Sequence, residues 1–317
     1  MHDARTGTPR VLDAGRAADA ARASLSHEAR RGVAVLFAHG ASMRFATHLA
    51  EAARICLEEK DPDRKCEMTD AAAAAWRSGD LPFDTQACFQ FTDDPEAGLP
   101  PTLRLTEPTR VPRRGFGTAE GLAAFIHAIA HIEWNAVNLA WDAVGRFAGM
   151  PREYYDDWVT VAVEEASHFR MLRARLRVLG RDYGDFEAHA GLWQMAEATR
   201  GDVLDRMALV PRVLEARGLD VTPGLIAKLR SRGDDATVAI LEVILREEIG
   251  HVRIGSRWFH HLCAERGLDP AAAFADCIRR HFRGRVKGIE SDEARAIRLE
   301  AGFREDELDA LAAIRGA

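Results

Sequence analysis

Two long amphipathic segments of this chain carry charged residues in the middle of their apolar faces. The first contains Glu165-Ala-Ser-His168 and the second contains Glu248-Ile-Gly-His251, so each segment has a Glu-x-x-His motif. Residues three apart lie on one face of a helix, close enough to share a binding site. A carboxylate left unpaired inside a helical bundle costs several kcal/mol, and a bound metal ion is the most effective compensation. The two motifs therefore predict buried metal ligands on two different helices.

Helical periodicity of apolar residues dominates the chain from Thr118 onward, and strand signals are nearly absent. This pattern predicts an all-α protein in which residues 118–264 form a four-helix bundle. The third helix is expected to bend near Gly201 or Pro211 and to stop at Gly218, because glycine and proline interrupt helices. The predicted helices are Thr118–Phe147, Arg152–Leu179, one within Phe186–Arg217, a short Pro223–Arg230, and Ala236–Ala264.

The segments on either side of the bundle are predicted to be accessory. Residues 1–117 form an N-terminal arm, with helices at Gly32–Glu59 and Thr69–Ser78 followed by a proline-rich strap at Gly79–Gly117. Proline lacks a backbone donor and restricts the residue before it, so the strap is expected to be extended. Residues 265–317 are expected to form a C-terminal extension with two or three short helices.

Two more glutamates complete the predicted ligand set. Bundles that bind two metal ions through carboxylates take Glu-x-x-His from two helices and one glutamate from each of the others. Glu133 lies 32 residues before Glu165, and Glu215 lies 33 residues before Glu248. These similar offsets indicate a repeated helical hairpin. The predicted metal ligands are Glu133, Glu165, His168, Glu215, Glu248 and His251.

Two choices of ligand stay open from the sequence. On the third helix, Glu187 and Glu197 are alternatives to Glu215, although they lie 61 and 51 residues before the glutamate of the second motif and break the symmetry. Each motif also reads Glu-Glu-x-x-His, so Glu164 and Glu247 precede the histidines by four residues. We favour the second glutamate of each motif as the ligand, and interpret the first as a hydrogen-bond acceptor behind the ligands or as a surface residue.

The donor set suggests which metal and which chemistry to expect. Two histidines with four carboxylates suit iron or manganese, with positions left open for oxygen; zinc or magnesium can occupy the same ligands according to availability. We expect two metal ions, most readily iron, and a diiron or iron/manganese oxidase or monooxygenase. Its partners would be O2, an electron donor and an unidentified small-molecule or nucleic-acid-derived substrate. The alternatives are a non-catalytic protein for metal handling or peroxide scavenging, and an interaction protein that keeps a structural metal.

Composition excludes several other classes of protein. The net charge of −6 and pI near 6.1 give no reason to expect nucleic-acid binding by bulk electrostatics. The five cysteines form no CxxC pair and make a poor disulfide framework. Uncharged stretches such as Gly121–Ile132 fall short of the ~20 residues that span a membrane, and the N-terminus lacks an apolar signal core. The sequence therefore predicts a cytoplasmic protein without membrane contact, and a homodimer is compatible with it.

Some histidines and tyrosines carry weaker signals. Tyr154, Tyr155 and Tyr183 are candidates for a redox role beside an oxygen-activating metal, although this is the less favoured interpretation of each. His127 and His131 lie four residues apart on the first predicted helix. We interpret them as core histidines or as residues that contact a partner, rather than as a second metal site.

The chain also resembles the DUF455 family of ferritin-like proteins, a group defined by sequence, over roughly Pro82–Leu311. The resemblance implies a ferritin-like four-helix bundle and implies no particular substrate. In addition, the residues around Glu215 are similar to the corresponding helix of the tRNA-hydroxylating diiron monooxygenases. The stretches that carry the family resemblance are VPRRGFGTAEG, HAIAHIEWNAVNLAWDAV, EEASHFRMLRARL, YGDFEAHAGLW, MALVPRVLEARGLDVTPG, ILEVILREEIGHVRIGSRWF and AGFREDEL.

Overall fold

Helices make up nearly all of the regular structure in the computed structural model, which describes residues 34–39, 42–89, 98–107, 110, 115–282 and 291–314. The predicted all-α class is confirmed. The elements, in chain order, are β1 (Ala34–His39), β2 (Ser42–Ala46), α1 (Leu49–Glu58), α2 (Pro62–Ser78), α3 (Ala119–Arg146), α4 (Arg152–Val178), α5 (Gly191–Ala198), α6 (Val203–Leu209), a π-helical segment (Val210–Glu215), α7 (Ala216–Arg230), α8 (Asp235–Glu265), α9 (Pro270–His281), α10 (Asp292–Glu300) and α11 (Glu305–Ile314).

Helices α3, α4 and α8 begin and end within one residue of the positions predicted from the sequence. The Thr118 side chain caps α3 by accepting a hydrogen bond from the Gly121 amide at 3.0 Å, and Asp234 caps α8 by accepting from the Thr237 amide at 3.1 Å. Helix α3 packs along α4, and α7 packs along α8. Contacts between α4 and α8 join these two hairpins into one bundle, which brings the two Glu-x-x-His helices together.

The prediction for the third helix is correct about a distortion near Pro211 and wrong about where the helix ends. Helix α7 runs without a break through Gly218 and Pro223 to Arg230. Glycine costs about 1 kcal/mol in a helix and proline about 3 kcal/mol. Burial of Leu219, Ile226 and Leu229 on one face of α7 outweighs these local preferences.

A π-helical segment, Val210–Glu215, replaces the simple bend expected at Pro211. Proline cannot donate the backbone hydrogen bond of a regular helix, and the wider π turn accommodates it. The segment packs closely on α8 at Gly255. A Cβ at Gly255 would lie 2.3 Å from Cγ of Pro211, so only glycine allows this approach. Glu215 ends the segment and is buried.

The prediction of one helix over Gly32–Glu59 is wrong for its first half. Strands β1 and β2 pair antiparallel there, with Ala34 opposite Ala46, and helix α1 begins only at Leu49. Short apolar runs do not distinguish strand from helix by periodicity alone, which explains the error. Helix α2 also begins earlier than the predicted Thr69, because Asp61 caps it and Pro62 fits the first helical position.

The described part of the proline-rich strap contains hydrogen-bonded turns, in which the Leu103 amide donates to the Pro100 carbonyl and the Arg110 amide donates to the Glu107 carbonyl. Near its centre, the Thr106 amide donates to the Ala188 carbonyl at 2.8 Å, and the Ala188 amide donates to the Arg104 carbonyl at 3.0 Å. These bonds attach the strap to the segment between α4 and α5. Residues 1–33 of the predicted arm, and positions 90–97, 108–109 and 111–114 of the strap, lie outside the described residues.

The C-terminal helices pack on the bundle through buried charged groups. Arg212 of the π-helical segment lies 2.8 Å from Glu307 of α11, and Arg298 of α10 lies 2.8 Å from Asp220 of α7. No disulfide joins the five cysteines, all of which are in the described residues. Among the described helices, none combines the length and apolarity needed to cross a lipid bilayer.

Candidate metal centre

Four helical elements of the bundle bring the predicted ligands to one buried region. Helix α4 carries Glu165 and His168, and α8 carries Glu248 and His251, each pair one turn apart on the face that the other helices cover. Helix α3 contributes Glu133, and the π-helical segment contributes its last residue. All six predicted ligands are less than a tenth exposed, which is unusual for carboxylates.

A tight group of three carboxylates and one imidazole forms the first half of the site. Glu133, Glu165, His168 and Glu248 each offer one ligand atom, and these four atoms lie within 4.8 Å of one another. The Nδ1 atom of His168 lies 3.3 Å from Glu133 Oε2 and 3.2 Å from Glu165 Oε2. This group could hold a metal ion.

The second half of the site shares Glu165 and Glu248 with the first. The other oxygen of Glu165, Oε1, lies 2.9 Å from Nδ1 of His251, so this carboxylate spans the two imidazoles. Glu248 Oε1 lies 3.8 Å from the same Nδ1 atom. The two imidazole rings are 5.8 Å apart between centroids. Glu215 and His251 are not members of the tight four-residue group, but both adjoin the carboxylates that it contains.

Several ligand atoms of the site have no hydrogen-bond partner among the described residues, although they are buried. Buried polar atoms are nearly always satisfied, so a cluster of unsatisfied carboxylate and imidazole atoms is typical of a site that can hold a cation. The residues present therefore fit a metal site. The unsatisfied atoms are Glu165 Oε1, Glu215 Oε2, Glu248 Oε2 and His251 Nδ1.

The electrostatics of the site also show that its negative charge is under-compensated. Burial raises the pKa of Glu133 well above its ordinary value, and the charge of Glu165 raises it further. Burial likewise raises the pKa values of Glu215 and Glu248, with neighbouring carboxylates adding to the effect. Burial opposes ionisation of Glu165 too, but His251 and His168 outweigh it and hold the pKa of Glu165 below its usual range. Cations in the site would relieve this repulsion.

The histidines respond in the opposite direction. Burial by itself lowers the pKa of His168, but the hydrogen bonds to Glu133 and Glu165 outweigh burial and raise this pKa to about 11. For His251, the charge of Glu165 and the hydrogen bond to Glu164 raise the pKa well above its ordinary value despite burial. In the protein without metal, protons on the two imidazoles therefore offset part of the carboxylate charge. Metal binding would displace the proton on Nδ1 of each imidazole and leave the proton on Nε2 in place.

Each imidazole is held from behind by a glutamate of the opposite motif. His168 Nε2 on α4 lies 2.8 Å from Glu247 Oε2 on α8, and His251 Nε2 on α8 lies 2.7 Å from Glu164 Oε2 on α4. Because a carboxylate only accepts, Nε2 carries the proton in each pair and Nδ1 turns toward the ligand cluster. The first glutamate of each motif is therefore an acceptor behind the ligands, one of the two roles considered from the sequence.

The alternative third-helix residues do not reach the site. Glu187 lies in the segment before α5 and Glu197 lies near the end of α5, and both are exposed. Glu215 is buried, and its pKa responds to the charges of Glu248 and Glu165. Glu215 is therefore the buried one of the three candidates, although it is not among the four residues whose ligand atoms lie within 4.8 Å of one another.

One buried lysine, which lies over the ring of the residue after a predicted ligand, was missed in the sequence. Lys65 on α2 is fully buried, donates to the Leu57 carbonyl at 2.7 Å and to the Asn138 side chain, and lies 4.7 Å from the ring centroid of Trp134. Trp134 directly follows the ligand Glu133. Burial lowers the pKa of Lys65 to about 7. The only sequence signal was the Asp-Pro start of α2, which would have placed Lys65 on a helix.

Comparison with known proteins agrees with the sequence resemblance. The model of a family described as "Protein of unknown function (DUF455)" matches residues 58–309. A Haemophilus influenzae protein described as "Uncharacterized protein" is 50% identical over 220 residues, which covers 67% of this chain and 75% of the relative. No solved structure matches the chain. Because the family match extends from the end of α1 to α11, this chain belongs to the DUF455 family.

Proposed function

We propose that this protein binds two iron ions and is an O2-dependent oxidoreductase, an oxidase or a monooxygenase. The observation that carries the proposal is the convergence of two Glu-x-x-His motifs, with buried and unsatisfied ligand atoms, between α4 and α8. Ferritin-like diiron carboxylate proteins use the same ligand types on four helices. The fold alone does not choose a function, so the proposal depends on the donor set.

The ligands divide naturally between two ions. Glu133 and His168 would hold one ion, and Glu215 and His251 would hold the other. Glu165, which lies between the two imidazoles, and Glu248 would be available to both. Two divalent ions carry as much positive charge as the four carboxylates carry negative charge. Full neutralisation would remove the repulsion that raises the pKa values of three of the glutamates.

The chain's own residues prepare the site for oxygen chemistry. When bound, a ferrous pair with open coordination positions supplies the electrons that reduce O2. Glu247 and Glu164 fix the proton on Nε2 of each histidine, which directs the Nδ1 lone pair at the ions and strengthens the ligand. An electron donor and a small-molecule or nucleic-acid-derived substrate complete the proposed reaction.

The decisive experiment is anaerobic loading with Fe(II) followed by addition of O2, with metal analysis, absorbance and Mössbauer spectroscopy. We expect two iron ions per chain, antiferromagnetically coupled after oxidation, with O2 consumed in proportion to iron. A Glu165→Ala/Glu248→Ala double variant should bind neither ion. A Glu187→Ala/Glu197→Ala double variant, at two exposed positions, should behave like the wild type.

Two results would contradict the proposal in different ways. Undiminished iron in the Glu165→Ala/Glu248→Ala variant would remove the site. Iron that accumulates far beyond two ions per chain, or rapid reaction with peroxide but not with O2, would favour the alternative of iron handling or peroxide scavenging.

A further inference from the structure

The geometry points to a binding groove between α3 and α7 that takes an aliphatic carboxylate, such as a free fatty acid of medium chain length. The inference rests on the function proposed above in one respect, because it names the class of substrate that the iron centre would oxidise. The groove itself is formed by residues of the two helices and does not depend on which metal is bound. Its walls are apolar, and an arginine without a partner flanks the end nearest the metal ligands.

Helices α3 and α7 are connected at both ends and separated between them. Arg232, which follows α7, donates to the carbonyl oxygen of Phe116, which precedes α3, at 3.0 Å. At the other end, α5 packs on both α3 and the π-helical segment that leads into α7. Between these two connections, the helices do not pack along each other within the described part of the chain. The start of α3 therefore lies beside the end of α7, and a groove runs between the two helices.

The wall on α3 is an apolar stripe that is only partly buried. Its members recur at intervals of three, four and three residues, so they lie on one face of the helix. Ile132 is 47% exposed, although it directly precedes the buried ligand Glu133. Near the start of the helix, the ring centroid of Phe125 lies 4.5 Å from that of Phe116. The stripe consists of Leu122, Phe125, Ile129 and Ile132.

A matching stripe on the π-helical segment and α7 forms the opposite wall. Leu214, Val221 and Leu225 are all at least partly exposed, and Gly218 lies between the first two on the same face. A Cβ added at Gly218 would meet no other part of the protein within 4 Å, so the groove is open above this position. Leu214 directly precedes the buried ligand Glu215. Each wall therefore has one end beside a metal ligand.

The exposure of these side chains indicates that the groove has an occupant. Among the described residues, only four large apolar side chains are strongly exposed, and two of them, Ile132 and Val221, belong to the two walls. Contiguous apolar surface of this kind marks a binding site. The stripes extend over ten and eleven residues of helix. At a rise of 1.5 Å per residue this gives ~15 Å, which is about the length of an extended dodecyl chain.

Arg217 supplies the positive charge that favours a carboxylate. It is exposed, lies between Leu214 and Val221 in the sequence, and makes no ion pair with any described residue. Burial and the charge of Arg217 lower the pKa of His189, so these two residues are neighbours. The His189 carbonyl oxygen in turn lies 3.1 Å from Nε2 of His131 on α3. Arg217 is therefore located where α5 closes the groove, and a guanidinium can form two parallel hydrogen bonds with a carboxylate.

The combination of walls and charge selects among ligand classes. Neither stripe contains an acidic side chain, so nothing in the walls attracts a cationic ligand. A nucleic-acid backbone is bound by several cations along its length, whereas this groove has apolar walls and one unpaired arginine. A small amphiphile with a single negative charge fits both features. With its carboxylate at Arg217 and its chain directed toward Phe116, the carbon atoms next to the carboxylate lie nearest the ligands Glu133 and Glu215.

Calorimetric titration of the Fe(II)-loaded protein, kept free of O2, with dodecanoate below its micelle concentration tests the groove. We expect saturable binding of one molecule per chain, and no binding of dodecyltrimethylammonium, which has the same chain and the opposite charge. Gly218→Leu fills the groove and should abolish saturable binding. Gly224→Leu is the matched control, because Gly224 is an exposed glycine of the same helix outside the stripe and also has open space around it. It should bind dodecanoate like the wild type.

A second pair of variants tests the charge. Arg217→Gln should weaken dodecanoate binding by about 10- to 100-fold, the range for a hydrogen bond between charged groups. Arg230→Gln, which removes an exposed arginine that pairs with Glu242 of α8, should leave the affinity unchanged. Because Arg217 lies two residues from Glu215, each titration is repeated with metal-free protein. Iron content and far-UV circular dichroism of every variant verify that the metal site and the fold are intact.

The outcomes separate this inference from the proposed function. If the wild type binds two iron ions and consumes O2 but does not bind dodecanoate, or if Gly218→Leu and Arg217→Gln bind it as tightly as the wild type, the inference is wrong and the proposed function stands. Equal binding of dodecanoate and dodecyltrimethylammonium would show a nonspecific apolar surface and would also refute the inference. If dodecanoate binds in the groove but the protein binds no iron, the proposed function fails, and the groove is a carboxylate site without a role in oxidation.

Discussion

His168 on α4 is hydrogen-bonded through Nε2 to Glu247 on α8, at 2.8 Å, although 79 residues separate them. The reciprocal pair, His251 and Glu164, repeats the same contact in the opposite direction at 2.7 Å. Each Glu-Glu-x-x-His motif thus provides a ligand pair for the site and an acceptor for the histidine of the other motif. The two helices are locked together in register by this exchange, and the orientation of each imidazole depends on the opposite helix.

Replacing the acceptors should weaken metal binding without removing a ligand. Glu247→Gln keeps a hydrogen-bond acceptor for His168 but removes its negative charge, so the imidazole becomes a weaker base. We expect a loss of about 10- to 100-fold in affinity for one ion, the range found for such supporting residues. Competition with a chelator of known affinity measures this. Glu242→Gln, an exposed position on the same helix, is the control and should not change the affinity. Equal affinity in Glu247→Gln would show that the contact does not support the metal.

The third-helix ligand can be tested by a matched pair of substitutions. Glu215→Gln keeps the shape of the side chain but removes a negatively charged metal ligand next to Glu165 and Glu248. The iron content should therefore fall from two ions per chain to one. Glu197→Gln changes an exposed residue and should leave the content at two. Metal analysis of both variants after gel filtration shows which of the two glutamates is a ligand. An empty site in Glu197→Gln with a full site in Glu215→Gln would mean that the offsets between motifs misidentified the ligand.

The sequence alone was sufficient to predict those helices in which the apolar periodicity extends over many turns. The boundaries of α3, α4 and α8 could be predicted within one residue, because each has many turns of consistent apolar spacing. Thr118 caps α3, Asp234 caps α8, and Pro151 precedes the first residue of α4. The glutamates and histidines that interrupt the apolar faces of these helices could also be identified from the sequence. Four of the six predicted ligands, Glu133, Glu165, His168 and Glu248, offer ligand atoms that lie within 4.8 Å of one another.

Features that depend on tertiary contacts could not be predicted. Helix α7 continues through Gly218 and Pro223 because it packs against α8. Helix propensities of single residues do not include such tertiary contacts. The crossed pairing of Glu164 and Glu247 requires the relative register of α4 and α8. The prediction of the segment before α1 was wrong for a different reason. Short apolar runs contain too few residues to distinguish the period of a strand from that of a helix.

The buried ion pair between Arg212 and Glu307 predicts acid sensitivity. Burial alone would raise the pKa of Glu307, but the hydrogen bond from His260 and the charge of Arg212 outweigh it and lower this pKa to about 2. The unfolded chain has a value near 4.5. Because the folded pKa is the lower one, the stabilisation is fully present above about pH 4.5 and is lost as the pH falls toward 2. It amounts to about 3 kcal/mol.

Denaturant unfolding of the metal-free protein between pH 7 and pH 3 measures this contribution. Glu307→Gln should lower the free energy of unfolding by about 3 kcal/mol at pH 7, because Arg212 then loses its buried partner. The variant should also lose less stability than the wild type on acidification. Glu305→Gln, an exposed position on the same helix, should follow the wild type. Parallel pH profiles for Glu307→Gln and the wild type would refute the assignment.

The close approach of α8 to the π-helical segment should make Gly255 intolerant of any side chain. In Gly255→Ala the new Cβ would lie 2.3 Å from Cγ and 2.5 Å from Cβ of Pro211, atoms of a rigid ring that cannot rotate away. Overpacking of this kind costs about 1–3 kcal/mol, and the segment that ends at Glu215 should shift away from α8. Gly250 on the same helix has open space around it, so Gly250→Ala should be neutral or stabilise by up to about 1 kcal/mol. Thermal unfolding gives the stabilities, and iron titration shows whether the displaced Glu215 weakens one ion. If Gly255→Ala is as stable as the wild type and binds both ions equally well, the π-helical segment is not held in place by this contact.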